Sequence, residues 1–239
     1  RIVTGIPLHI FGSQRAQHQI SDVFRKALKA PAVAVLPQGF GALCLAISTN
    51  SALAQGRVAL VDIGSRTTEL ICFSDGQYLN HESAGVVLGV GQVYTQVAQK
   101  LSSQHQRPID AYEVDWALRE DKAIKIKGGV VERQALEALV QHYVRPLATR
   151  LHNEMTRLWK EGAPGIDHLL YCGGGSALLA SYLGHFRDDY TILPESQFTN
   201  AAGYLEYIRL TSTDQTRPQD QEADDIPQGN ASAQKAPHA

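Results

Sequence analysis

The chain has 239 residues, 44% of them apolar, and a formal net charge of −2. That suffices to bury a substantial core in one large domain or two small ones, and it is too little positive charge for a direct footprint on nucleic acid or anionic lipid. No apolar run approaches the ~20 residues needed to span a bilayer as a helix, so no membrane partner is expected.

The start reads as a strand over residues 1–8 closing on a Gly-x-Pro turn, without the charged-then-apolar order of a secretory leader. An immediate strand with no initiator Met is expected of a fragment or a chain that begins mid-fold. Over 14–30, Ile20, Phe24 and Leu28 recur at helical spacing until Pro31 stops them. The continuous small-apolar run 32–36 predicts a central strand covered on both faces, ended by Pro37. A second helix is predicted over 39–54, with Phe40, Leu43, Cys44 and Ile47 on one side. Strand, helix, strand, helix is an α/β layout.

Next comes the most informative stretch, Val58-Ala-Leu-Val-Asp62-Ile-Gly64-Ser65-Arg66-Thr67-Thr68, continuing to Phe73. Two β-rich apolar runs flank a polar turn that holds a carboxylate, a glycine and two threonine hydroxyls. Gly64 lets the backbone approach a phosphate and aim its amide, with those of Ser65 and Arg66, at the charged oxygens. Thr67 and Thr68 could add hydroxyl donors. Asp62, a carboxylate that would repel phosphate directly, suits the water shell of a Mg²⁺ ion. A plain β-hairpin, with threonines serving as strand formers, accounts for the same residues.

Asp75-Gly76 then predicts a tight turn into a third strand over 77–83, completing an antiparallel meander. Val90, Val93, Val97 and Leu101 mark a helix broken near 106–108. Gly89-Val-Gly91 lacks the third glycine of a dinucleotide fingerprint and reads as a loop leading into that helix. Asp110 is placed to cap a short helix over 110–120. Residues 122–131 alternate Lys with Ile, as in a solvated sheet face or ribbon. The long stretch 132–159 carries Leu136, Val140, Tyr143, Leu147, Leu151 and Leu158 on one stripe, with Pro146 expected to kink or divide it.

A strand over 167–172 runs into Gly173-Gly174-Gly175-Ser176 and a further helix. Such a turn admits a flat or phosphorylated ligand close to the backbone and leaves helix-start amides unclaimed, although a tight loop that only needs positive φ has the same glycines. Ser176 lacks the following x-Gly of a hydrolase elbow, and no G-x-x-x-x-G-K-[ST] loop occurs. Neither the histidines nor Cys44, Cys72 and Cys172 show metal-ligand spacing; the scattered cysteines fit buried thiols in a reducing cytoplasm. After a turn at 194–195, Asn200-Ala-Ala-Gly203 opens a last helix. Residues 211–239 hold five acids against Arg217 and Lys235, a net of −3 that leaves +1 for the rest, and are expected to form a disordered polar tail.

In order, Thr4-Gly5-Ile6-Pro7-Leu8, Val35-Leu-Pro37-Gln38-Gly39, Val61-Asp62-Ile63-Gly64-Ser65-Arg66-Thr67-Thr68, Tyr171-Cys-Gly173-Gly174-Gly175 and Asn200-Ala-Ala-Gly203 resemble the actin-like ATPase superfamily, most of all the bacterial ParM/StbA proteins of plasmid partition. The resemblance implies an α/β, ribonuclease H-like fold with nucleotide between two lobes. Residues 1–54 would be the later part of the first lobe and 55–210 a complete second lobe. By motif position it implies a second phosphate loop at Asp62, Gly64, Ser65, Arg66 and Thr67, an adenosine loop at Gly173, Gly174 and Gly175, and an interlobe connection from Asn200. Asp62 would act on Mg²⁺ through water, and Gln38 would orient the attacking water. The cofactors implied are ATP or GTP with Mg²⁺. The partners implied are further copies of the chain in filaments and a DNA-bound adaptor, in the cytoplasm. The superfamily's first phosphate loop precedes this sequence, so the chain alone is expected to hydrolyse nucleotide slowly or not at all. A non-catalytic scaffold of the same fold, or a sugar or acetate kinase relative, are the alternatives.

Overall fold

The computed structural model describes residues 1–213. Strands β1 (Ile2–Ile6) and β2 (Val33–Pro37) pair in parallel as a separate two-stranded sheet, joined by helices α1 (Leu8–Phe11) and α2 (Gln14–Leu28). Ser13 caps α2 by accepting from the Ala16 amide at 3.3 Å. The expectation that 32–36 is covered on both faces is corrected: Val33–Leu36 are half-buried and Pro37 alone is buried. A strand with one sheet neighbour gains no second cover from its composition. Helix α3 (Phe40–Thr49) is shorter than predicted, because Asn50 turns to extended backbone and its side chain accepts from Ala52 to start a separate 3-10 turn.

The main sheet has the order β10-β9-β3-β4-β5, with β6 also on β4. It comprises β3 (Arg57–Ile63), β4 (Thr68–Ser74), β5 (Gln77–Tyr78), β6 (Ala84–Val86), β9 (His168–Cys172) and β10 (Thr191–Ile192). β3 runs antiparallel to β4 and parallel to β9. The third strand predicted over 77–83 is cut short to β5 by a 3-10 turn over Asn80–Glu82, and β6 begins after its predicted end. There the Ser83 hydroxyl takes the place of main chain, accepting from Cys72 N (3.0 Å) and donating to Leu79 O (2.7 Å).

Side chains alternate across a strand, and both faces of this sheet are covered, which is why β3 reads as an unbroken apolar run. Ala59, Val61, Ile63, Leu70, Cys72, Leu169 and Tyr171 pack in one core with α4 (Gly91–His105), α5 (Ala111–Arg119), α6 (Arg133–Trp159) and α7 (Ser176–Leu183). Val58, Leu60, Ile71, Phe73, Leu170 and Cys172 pack on the other face against α3. Asp62 and Glu69 are direct cross-strand partners on that second face.

Asp110 caps α5, accepting from Glu113 N at 2.8 Å. Pro146 does not divide α6, which runs unbroken with Val144, Leu147, Ala148 and Leu151 buried on either side of it; packing over both halves outweighs one missing hydrogen bond. Residues 122–131 form a ribbon of β7 (Ile124–Ile126) and β8 (Gly129–Val131), anchored by buried Ile124 and Val131. The last helix, α8 (Thr199–Thr213), extends past the predicted boundary at 210. Thr211 holds that turn, donating to Tyr207 O (2.8 Å) and accepting from Arg1 (2.9 Å). The predicted tail beyond 213 lies outside the described residues.

Candidate functional site

The β3–β4 turn uses part of its polar complement internally. Gly64 N donates to Thr67 O at 2.9 Å, so the expectation that its amide faces a ligand is corrected: the turn itself consumes that donor. The Thr68 hydroxyl is likewise withdrawn, since it donates to Leu88 O at 2.7 Å and is fully buried. Thr67 lies beside the Glu69 carboxyl. The Ser65 and Arg66 amides have no partner among the described residues, and both residues are exposed. The start of α4 braces this turn, with Val90 N donating to Gly64 O (3.1 Å) and Gly91 N to Ser65 O (2.9 Å). A Cβ at Gly89 would overlap the Ser65 carbonyl, so this glycine exists for close approach of protein to protein.

The three glycines after β9 divide in the same way. Gly173 has φ +84, and a Cβ there would overlap the Ile63 carbonyl and reach Asp62 Oδ1. Gly175 fits only because Ile63 and Val90 leave no room for a side chain, and its amide donates to Ile63 O at 2.9 Å. These two lock the glycine turn onto the end of β3. Gly174 is exposed, its amide has no partner among the described residues, and a Cβ there would meet nothing nearer than Gln197 at 3.7 Å.

Ser65 and Gly174, 109 positions apart in the chain, line one cleft of about 450 Å³ together with Tyr94, Tyr112, Asp115 and Arg119. Asp115 and Arg119 pair at 2.9 Å one helical turn apart, and Tyr112 is 69% exposed at the same wall. These α5 residues escaped the sequence reading, in which α5 was an ordinary capped helix. Their only local signal is the i, i+4 charge pair, which most solvated helices also carry.

Asp62, Asn200 and Gln38 come together at the Asp62 carboxyl and do not line the cleft. Asp62 is 2% exposed and accepts from Asn200 Nδ2 at 2.6 Å. Burial pushes its carboxyl above the ordinary range, opposed by hydrogen bonds from Asn200, Cys172 and Gln38. Burial also pushes the Cys44 and Cys72 thiols up to about 11, so neither supplies a thiolate at neutral pH.

Glu69, opposite Asp62, is buried too; its Oε2 accepts from Leu8 N at 3.0 Å at the start of α1, and its Oε1 has no hydrogen bond. Burial raises this carboxyl, with the Leu8 amide and the Thr67 hydroxyl pulling it down and the Asp62 charge pushing it up. A raised acid binds its proton more tightly folded than unfolded. The contribution of this carboxyl to stability is therefore fullest below the ordinary glutamate range and falls away as pH climbs through the raised value. Glu69→Gln is expected to flatten that fall in urea titrations from pH 4 to pH 8; parallel curves for the two proteins would count against this assignment.

Asp62 near the end of β3 and Asp115 on the cleft wall are carboxylates beside the two turns. Among the described residues no cluster of three or more His, Cys, Asp or Glu could hold a metal outright. One or two carboxylates are what Mg²⁺ commonly takes from a protein, since it keeps most of its waters and binds phosphate oxygens besides. No helix among the described residues is long and apolar enough to cross a membrane.

Comparison with known proteins identifies this architecture. The domain described as "Archaeal actin homologue MreB-like, C-terminal" matches residues 60–185. No curated protein sequence matches significantly. Among solved structures, a non-polymerisable quadruple mutant of pCBH ParM superposes with a TM-score of 0.73 at 21% identity, covering 88% of this chain and 68% of that one. Ta0583, an archaeal actin homologue in complex with ADP, gives 0.67 at 22% identity over 87% of this chain and 73% of its own. MreB 5 of Spiroplasma citri bound to AMPPNP gives 0.66 at 16% identity over 89% and 69%. The chain spans 56% of native Ta0583 and 66% of the subunit in a 15-stranded ParM filament from Clostridium botulinum. These likenesses show an actin-like fold, and since the domain match takes in more than half of the sequence, the chain belongs to the MreB-like family of archaeal actin homologues.

Proposed function

We propose that the cleft between the β3–β4 turn and the Gly173–Gly175 turn binds a purine nucleoside triphosphate, ATP or GTP, with Mg²⁺, and that nucleotide binding drives self-association into filaments. The observation that carries this reading is a single cleft lined at once by Ser65 and Gly174, with free amides at both turns. The Ser65 and Arg66 amides and the Ser65 hydroxyl would take phosphate oxygens, as backbone amides in tight turns do. Gly174 would lie against the nucleoside, with Tyr112, Asp115 and Arg119 forming the opposite wall. Asp62 would hold the water shell of Mg²⁺, which supplies charge neutralisation on the phosphates, and Gln38 would orient a water toward the terminal phosphate. Thr67 would support the loop through Glu69. In this reading residues 1–54 and 55–210 belong to the first and second lobes, and the filament serves DNA segregation through an adaptor in the cytoplasm. The neighbours bound to ADP and AMPPNP, and the ParM filament, support it by likeness of fold.

Gly174→Val provides the test. The backbone there is not left-handed and the added side chain has room, so stability should stay within about 0.5 kcal/mol of wild type. Binding of a fluorescent ADP or ATP analogue with Mg²⁺ should weaken by about tenfold or more, or 1.4 kcal/mol, because the side chain would fill the cleft. Equal affinity in variant and wild type, or no binding by wild type, would overturn the nucleotide reading. Pelleting that is indifferent to nucleotide would overturn the filament reading.

A further inference from the structure

Asn200 spends its whole side chain on two elements far away in sequence. Its Oδ1 accepts from the amides of Gly39 (3.0 Å) and Ala42 (3.2 Å), and its Nδ2 donates to Asp62 at 2.6 Å. Helix α3 has no capping side chain of its own, because its N-cap is Gly39 at φ +89. An amide from α8 caps it instead, across 161 positions of sequence. Gln38 immediately precedes the capped turn and its side chain also reaches Asp62. The same face of α8 is pressed onto this corner: a Cβ at Gly203 would overlap the Gly41 carbonyl, and one at Gly5 would overlap the Tyr204 hydroxyl.

We infer that Asn200 is a positioning residue that fixes the Gln38–Gly39 turn relative to Asp62, so that what binds at Asp62 is felt at the start of α3. The side-chain chemistry is restrictive. An amide can donate to a carboxylate and accept from two backbone N–H groups at once. Aspartate would oppose a second carboxylate to Asp62, and leucine would strand all three partners. The inference rests on the nucleotide reading for what reaches Asp62, whereas the tie itself is independent of ligand.

Hydrogen exchange at the Gly39 and Ala42 amides in the full chain, without nucleotide, tests the tie through a double-mutant cycle. Asn200→Ala should speed exchange at both amides by about tenfold or more. Asp62→Ala should speed it by a smaller factor, since Asn200 then loses the partner that orients it. The double variant should match Asn200→Ala alone, because Asp62 acts through Asn200. Exchange at Leu147 and Leu151 in α6 reports global folding; should Asp62→Ala fail to fold, Asp62→Leu, of similar shape but without an acceptor, takes its place in the cycle. No effect of the Asp62 change, or effects that multiply in the double variant, would overturn the inference. Adding Mg²⁺ and ADP gives the second arm: wild type should change its exchange at Gly39 and Ala42, and Asn200→Ala should bind the nucleotide without that change. A full response in Asn200→Ala would overturn the coupling. Failure of wild type to bind would overturn the nucleotide reading alone, since the ligand-free cycle still decides the tie.

Discussion

Gly203→Ala is expected to lower the urea midpoint sharply, with a loss of about 3 kcal/mol, the upper part of the range for forcing an extra carbon into a packed core. The added Cβ would overlap the Gly41 carbonyl, which is backbone and cannot rotate away. The converse position is as tight, since a Cβ at Gly41 would overlap the Asn200 carbonyl. Helices α3 and α8 therefore cross backbone to backbone, and only separation of the helices could accommodate the methyl. An unchanged slope with a lower midpoint would mark a stability change within a two-state transition. A midpoint equal to wild type would mean that the helices part freely and that the crossing adds little.

Gly173→Ala is the second change with a large expected effect, and neighbouring Gly174 is its control. At φ +84 a non-glycine residue is strained, and its Cβ would press on the Ile63 carbonyl and Asp62. Strain and overlap together should cost about 2–4 kcal/mol. Because the same methyl pushes the glycine turn off the end of β3, nucleotide affinity should fall with stability, whereas Gly174→Ala should leave stability unchanged. Thermal unfolding and nucleotide titration on the pair separate the roles. Similar stability in both variants would contradict the division of the glycines into packing and cleft residues.

The contrast between those two glycines marks how far the sequence could be read. β3, its turn, β4 and the strand into Gly173 were legible because each is a local pattern, an apolar run ended by polar or glycine residues. The convergence of Ser65 and Gly174 followed from the ordered motifs. What three consecutive glycines cannot disclose is which of them faces protein, since Gly173 and Gly175 are fixed by Ile63 and Val90 from other segments. For the same reason Gly64 and Thr68 looked like ligand donors: their acceptors, Thr67 O and Leu88 O, are set by how the turn closes and how the next loop returns. Asn200 was placed at the site by motif, but its work as a cap for α3 lies in tertiary geometry that no spacing encodes.

Helices α3 and α8 meet along a seam, from Asn200 at Gly39 and Ala42, through Gly203 at Gly41, to Tyr207 at Phe40. Gly203 is the fifth residue of α8, and the helix continues for ten more to Thr213. The ties of the seam span about seven residues of α8, about 10 Å at 1.5 Å per residue, so the two helices move as one body. A displacement beside Asp62 would thus be carried along α8 to its far end, where Arg1 holds Thr211.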